Sequence, residues 1–192
     1  DATERMAGQW GDLASMRANA RLIVAHRDDG ATTWADERIR IPRVAMFAGH
    51  MVDAPSRPSA RFPASMEEYV RERLAEIIER EDVGFAHASA AAGGDILFHE
   101  AVRVRAVAPG IMGLNRIVLP FAREAFRAAS VEFGDDGRWG KRFDAIVDAP
   151  DAIVRWATRE RDADDPAYFG YAQRLVTGFA ELEAREFGDR PV

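Results

Sequence analysis

The sequence of 192 residues contains no cysteine. This absence excludes disulfide bonds and every metal site that needs a thiolate ligand, and it favours a reducing compartment. No apolar run approaches the roughly 18 residues that a membrane-spanning helix needs, and the first residues do not form a secretory signal. We therefore expect a cytoplasmic protein that does not enter a membrane.

The sequence also has no excess of positive charge. Its formal net charge is −6, and acidic and basic residues are mixed along the chain. This distribution produces no field that attracts a polyanion, so we expect no nucleic-acid partner. Hydrophobic residues make up 47% of the chain, which at this length is enough for one well-buried core and too little for two.

The N-terminal part is expected to belong to a neighbouring unit. Apolar residues recur at helical spacing over residues 9–27, which predicts an amphipathic helix. The predicted apolar face holds Leu13, Met16, Ala20, Ile23 and Val24. A polar stretch follows at residues 28–33. Because this stretch and the connector to Pro42 resemble a junction, we expect residues 1–41 to end a neighbouring helical module and residues 42–192 to form the main domain. The sequence does not begin with Met, so we expect it to be part of a longer protein.

Strands and amphipathic helices alternate through the main domain. Short apolar runs predict strands at residues 43–48, 83–88, 115–119 and 152–157. Helical spacing and end signals predict helices at residues 65–81, 95–105, 122–130, 139–147 and 166–188. This order is typical of an α/β fold with a doubly wound, Rossmann-like parallel sheet of four to five strands and helices on both faces. Residues 107–114 are too long and apolar for an ordinary connection, and they have no place in this pattern.

Small and polar residues follow the first two predicted strands. They are Gly49 and His50 after the first strand, and Ser89, Gly93, Gly94 and Asp95 after the second. Carboxyl ends of parallel strands meet at one edge of a sheet, where glycines admit a ligand and the amides of the next helix face it. The pattern predicts a site for phosphate or ribose. Asp95 either binds a ribose hydroxyl there or stabilises its own helix.

Other candidate residues lie further along the chain. Arg57 and Arg61, in a proline-rich loop, are candidates to close over an anionic ligand, with a solubilising role as the alternative. Thr158 ends the fourth strand beside the expected switch point of the sheet. Glu100 is a candidate to stabilise a ribosyl cation, although a helical glutamate is usually a solvated surface residue. His50 is a candidate to hydrogen-bond a phosphate or to act as an acid, with a surface or packing role as the alternative.

These motifs resemble those of the SMF/DprA-LOG (SLOG) superfamily. Residues 89–101 resemble its second strand–helix junction, in which a loop of small residues precedes an aspartate in the first turn. Residues 44–49 are similar to its first strand and loop, and residues 117–121 to its third strand. The likeness extends to TIR-like segments of multidomain bacterial signalling proteins and covers about residues 43–182. It implies a Rossmann-like fold that recognises a nucleotide or a nucleotide derivative.

Two departures limit what this resemblance implies. The LOG enzymes carry a Pro-Gly-Gly-x-Gly-Thr-x-x-Glu signature, but Gly93 and Gly94 lack both the preceding proline and the following Gly-Thr. Gly49, His50 and Met51 stand where the DNA-binding branch commonly has Gly-Ser-Arg. The resemblance therefore implies ligand binding without implying LOG-type catalysis.

The sequence favours a domain that binds or senses a nucleotide-derived small molecule within a bacterial signalling or defence protein. One alternative is an N-glycosidase acting on a nucleotide or NAD, in which Glu100 or Asp95 stabilises the ribosyl cation and His50 handles the base or phosphate. Another is a docking or oligomerisation domain without a ligand. We expect no metal and no cofactor beyond the ligand. A fused helical-repeat or effector domain is the expected neighbour, and a homo-oligomer is left open.

Overall fold

The computed structural model describes residues 2–26, 34–54, 57–108, 111–132, 137–159 and 166–192, so the predicted polar stretch at residues 28–33 lies outside the described residues. Within these ranges, the helices are α1 (Ala2–Ala25), α2 (Trp34–Arg38), α3 (Glu67–Arg80), α4 (Gly94–Arg103), α5 (Arg123–Ser130), α6 (Arg138–Val147) and α7 (Ala167–Glu186). The strands are β1 (Arg43–Met46), β2 (Val83–Ala88), β3 (Ala106–Ala108), β4 (Ile111–Met112), β5 (Leu114–Leu119) and β6 (Ala152–Trp156).

Four strands form one parallel sheet in the order β1-β2-β5-β6. This confirms the predicted α/β fold with a parallel sheet, and each predicted strand and helix of the main domain begins and ends within two residues of its observed bounds. Every residue of β2 and β5 is buried, because helices cover both faces of these central strands. The unplaced segment at residues 107–114 contributes to a separate antiparallel pair of β3 and β4; its Pro109 and Gly110 lie outside the described residues.

The two faces of the sheet have separate cores. On one face, α3, α4, α5 and α6 enclose the larger core. On the other face, α7 and α1 cover the sheet. Strand order follows chain order among the described strands, so the switch point expected beside Thr158 is absent. The crevice at the carboxyl edge is instead formed with α7, which contacts β1, β2 and β5.

Helix α1 confirms the predicted N-terminal helix, but its predicted apolar face is only partly right, since some of its residues are partly buried and others are exposed. Trp10 and Ala14 are buried, whereas Met16 is 58% exposed and Ile23 is 60% exposed. The Trp10 ring meets the Phe85 ring edge-on, with 5.7 Å between centroids, and this contact helps to orient the helix on the sheet. Whether a domain boundary lies near residue 41 stays a prediction.

The helical layer around α3, α4 and α6 contains an ionic cluster around the buried Glu67. The Glu67 carboxylate accepts hydrogen bonds from Arg71, Arg138 and Arg142, each with a nitrogen–oxygen distance of 2.8 Å. The Arg142 guanidinium lies 4.1 Å from the centroid of the Trp139 ring. Burial raises the pKa of Glu67, but the hydrogen bonds from Arg138 and Arg142 outweigh it, so the pKa is lowered.

Replacing Glu67 by glutamine tests this cluster. We expect Glu67→Gln to lower the free energy of unfolding by about 1–3 kcal/mol, because three arginines lose the charged acceptor that the buried Glu67 supplies. The exposed neighbour Glu68 is the matched control, and Glu68→Gln should change stability by less than about 0.5 kcal/mol. Urea unfolding at pH 7 measures both, and equal effects of the two substitutions would contradict a structural role for the cluster.

Candidate functional site

A cavity lies at the carboxyl edge of the sheet, and we call it the edge cavity. Its volume is about 180 Å³. The loops after β1 and β2, the beginning of α4, the end of β5, helix α5 and the first half of α7 provide its walls. Most of the lining is apolar. The lining residues on which the chemistry of the cavity depends are Gly49, Ser89, Asp95, Phe126, Phe169 and Gln173.

Asp95 joins the two strand-end loops. One carboxylate oxygen accepts a hydrogen bond from the Gly49 N–H at 2.9 Å, and the other accepts one from the Ala91 N–H at 3.3 Å. The residue is only 6% exposed. Burial raises the pKa of Asp95 to about 6, and the two backbone hydrogen bonds oppose this rise. The carboxylate thus reaches across to the loop after β1 and also lines the edge cavity.

The glycines let these two loops touch. The Gly94 N–H donates to the carbonyl oxygen of His50 at 3.0 Å, and the Val52 N–H donates to the carbonyl of Ala92 at 2.8 Å. A Cβ atom on Gly93 would lie 2.6 Å from the Val52 nitrogen, and Gly93 has a φ of +123°. The contact between the two loops therefore requires glycine at both positions, 93 and 94. The Gly94 amide is already used in a hydrogen bond to the His50 carbonyl.

The two arginines of the proline-rich loop form hydrogen bonds within that loop, Arg57 through its side chain and Arg61 through its backbone. The Arg57 guanidinium lies 3.3 Å from Asp53 and also donates to the backbone carbonyl of Ser59. The backbone N–H groups of Arg61 and Phe62 donate to the Asp53 carboxylate. By accepting these backbone hydrogen bonds, the Asp53 carboxylate holds the segment in a turn, as aspartates commonly do. Neither arginine is among the residues that line the edge cavity.

The remaining predicted residues also lie away from the cavity lining. The side chain of His50 is exposed, and its backbone carbonyl makes the contact described above. Glu100 forms an ion pair with Arg142, with nitrogen–oxygen distances of 2.7 and 2.5 Å. The backbone N–H of Thr158 donates to the Pro120 carbonyl at 3.2 Å. The edge cavity thus brings together Gly49, Ser89 and Asp95 from the predicted set, and roles for the other residues stay predictions.

His99 supports the cavity wall and was not among the predicted site residues. It is fully buried, with Nε2 2.9 Å from the Ser89 carbonyl oxygen and Nδ1 3.0 Å from the side-chain oxygen of Asn115. Burial lowers the pKa of His99. The histidine fixes the backbone of Ser89 at the end of β2. Its spacing of four residues from Asp95 is the one signal in the sequence, since such positions share a helix face.

Helix α7 supplies the other unpredicted part of the site. Phe169 and Gln173 line the cavity from this helix. The Glu183 carboxylate anchors the second half of the helix to the sheet, lying 2.5 Å from His87 Nε2 and accepting a hydrogen bond from Arg116 at 3.0 Å. Burial raises the pKa of Glu183, but these partners outweigh it and lower the pKa. The anchor fixes the helix over β2 and β5.

Comparison with protein-family models, with curated proteins and with solved structures gives no match. Across the described ranges, no helix combines the length and apolar character needed to cross a membrane. In the same ranges, no three or more histidine, aspartate or glutamate residues are grouped so that they could hold a metal ion. The functional interpretation therefore rests on the geometry of the edge cavity.

Replacing Gly93 by alanine tests the contact between the loops. We expect Gly93→Ala to lower the free energy of unfolding by about 2 kcal/mol or more, because the new methyl group meets backbone atoms at a strained φ. Gly170 is the control, since a Cβ atom there meets nothing within 4 Å. Gly170→Ala should stabilise α7 by up to about 1 kcal/mol. Thermal unfolding should show a lower unfolding temperature for Gly93→Ala and a higher one for Gly170→Ala. A change of the same sign in both variants would contradict the role of Gly93 in the loop contact.

Asp95 also predicts a pH dependence of stability. Its folded-state pKa of about 6 lies above the ordinary value of 3.8, so the folded state binds the proton more tightly than the unfolded state. The contribution of Asp95 to stability is therefore fully present below about pH 4 and falls by about 3 kcal/mol as pH rises through 6. The difference in unfolding free energy between the wild type and Asp95→Asn should show this fall. A difference that stays constant from pH 4 to pH 7 would contradict it.

Proposed function

We propose that this domain binds a small nucleotide-derived molecule in the edge cavity. The observation that carries the proposal is the convergence of the ends of β1, β2 and β5 with the first half of α7 around the buried carboxylate of Asp95. In open α/β sheets, ligands generally bind outside the carboxyl ends of the strands at a switch point of the strand order. The described strands have no switch point, and here α7 closes the crevice at the same edge instead. The SLOG-like motifs of the sequence lie at the same edge.

The walls of the cavity support this proposal chemically. Ligand sites generally combine apolar walls with a few well-placed polar groups. Here Ser89, Asp95 and Gln173 supply the polar groups, and Phe126 and Phe169 supply aromatic surface. The volume of about 180 Å³ is below the roughly 300–1,000 Å³ of most drug-sized sites. One ring of a nucleotide, the base or the sugar, therefore fits inside, and the rest of the ligand extends outward.

Helix α7 provides a route for signalling. Its first half lines the cavity, while Ala180 and Ala184 in its second half share a core with Trp10 of α1. A ligand that favours one position of α7 would thereby shift the packing of the N-terminal helix. This connection supports a sensor role in a larger bacterial signalling or defence protein, which is part of the proposal.

Phe169 allows a direct test with a closely matched control. Phe169 and Tyr171 are neighbouring aromatic residues of α7 and are both 45% exposed, but only Phe169 lines the cavity. Adenosine, AMP, GMP, ADP-ribose and NAD are screened by thermal shift, where a ligand at 100 times its dissociation constant adds about 2.7 kcal/mol. For any compound that stabilises the protein, Phe169→Ala should raise the dissociation constant roughly fivefold, equivalent to about 1 kcal/mol of aromatic contact.

The control variant Tyr171→Ala should bind within about twofold of the wild type, because a residue away from the lining adds little to binding energy. Calorimetric titration measures both variants. If no compound stabilises the fold, or if both variants bind equally weakly, the proposed function is wrong.

A further inference from the structure

We propose that the edge cavity recognises the uncharged nucleoside part of its ligand through hydrogen-bond donors on that part, and that phosphate groups remain outside. This inference rests on the proposed function and names the chemistry of its ligand. It differs from the sequence-based expectation, in which Gly93 and Gly94 open a phosphate-binding turn. Three features of the cavity support it.

The first feature is the charge of the lining. Among the described residues that form the cavity, none is lysine, arginine or histidine, and Asp95 is the one ionisable acid. Phosphate sites in proteins usually supply arginine, lysine or several free backbone amides. Arg57, a candidate to close over an anionic ligand, is paired with Asp53 in its own loop. A phosphate inside the cavity would thus be buried against a carboxyl group with no cation beside it, which is unfavourable.

The second feature is the use of the backbone amides. The Gly94 N–H at the start of α4 donates to the His50 carbonyl, and the N–H groups of Gly49 and Ala91 donate to Asp95. In a phosphate-binding turn, amides at these positions would face the ligand. Here acceptors of the protein itself occupy them. The carboxylate also lies where the positive end of the α4 dipole would attract an anion.

The third feature is the supply of acceptors. An ionised carboxylate has about four acceptor positions, and protein donors reach each oxygen of Asp95 once. The hydroxyl oxygen of Ser89 is buried and has no hydrogen-bond partner within the described part of the chain. Gln173 faces the same cavity from α7. A ribose diol or the N–H edge of a base presents donors to such a set, and the dianionic phosphate group of a nucleotide presents none.

The test compares nucleosides with their phosphates. Adenosine, guanosine, cytidine and uridine are titrated beside their 5′-monophosphates and inorganic phosphate, at 50 and 300 mM salt. We expect a nucleoside and its monophosphate to bind within about threefold of each other, because the phosphate makes no contact inside the cavity. Inorganic phosphate should neither bind nor compete, and the affinity should change less than about twofold with salt. A monophosphate that binds tenfold or more tightly than its nucleoside overturns the inference.

Ser89→Ala provides the variant test. It removes a buried hydroxyl group that has no described protein partner, so the unliganded fold should keep its thermal stability. Nucleoside binding should weaken at least fivefold, whereas the exposed control Ser65→Ala should bind as the wild type does. Wild-type affinity in Ser89→Ala overturns the inference. Binding only of phosphate-bearing compounds overturns the inference but leaves the proposed function, and absence of binding by every compound overturns both.

Discussion

The two hydrogen bonds accepted by Asp95 hold the carboxyl edge of this sheet together. They connect the loop after β1, through Gly49, to the loop after β2, through Ala91. A carboxylate as buried as this one is costly to ionise, and its raised pKa of about 6 expresses that cost. A buried carboxylate stays in such a place when the surrounding backbone fixes its position. Here the contacts of Gly93 and Gly94 with the opposite loop provide that constraint.

The position of α7 is the second constraint on the cavity. Buried charges are retained where their partners are well placed, and Glu183 meets both His87 and Arg116 beneath the helix. The end of the chain reinforces this position, since the backbone of Val192 exchanges two hydrogen bonds with β1 beside Ala45. The helix is thereby held over the sheet while its first turns close the cavity. A ligand bound in the edge cavity would contact both the sheet and the helix that leads to α1.

Local patterns predicted most of the fold. Apolar runs and helical spacing are carried by neighbouring residues, so the strands and helices of the main domain were predicted within two residues. The apolar face of α1 was predicted only in part, because contacts distant in sequence, such as that between Trp10 and Phe85, help to orient the helix. The sequence singled out Gly93 and Gly94 after β2. It could not show that the backbone of the loop after β1 lies against them. Contacts between residues distant in sequence could not be predicted. Examples are the ion pair of Glu100 with Arg142 and the position of Phe169 in the lining of the edge cavity.

In the proposed complex, the edge cavity holds the uncharged ring of a nucleoside against Asp95 and Ser89. A crystal structure of the protein grown with a saturating nucleoside measures this most directly. We predict ligand density inside the cavity, with donor atoms about 2.7–3.2 Å from the Asp95 carboxylate and the Ser89 hydroxyl group. Density for the nucleoside in the open groove beside Trp156 and Arg159, with the edge cavity unoccupied, would contradict the claim.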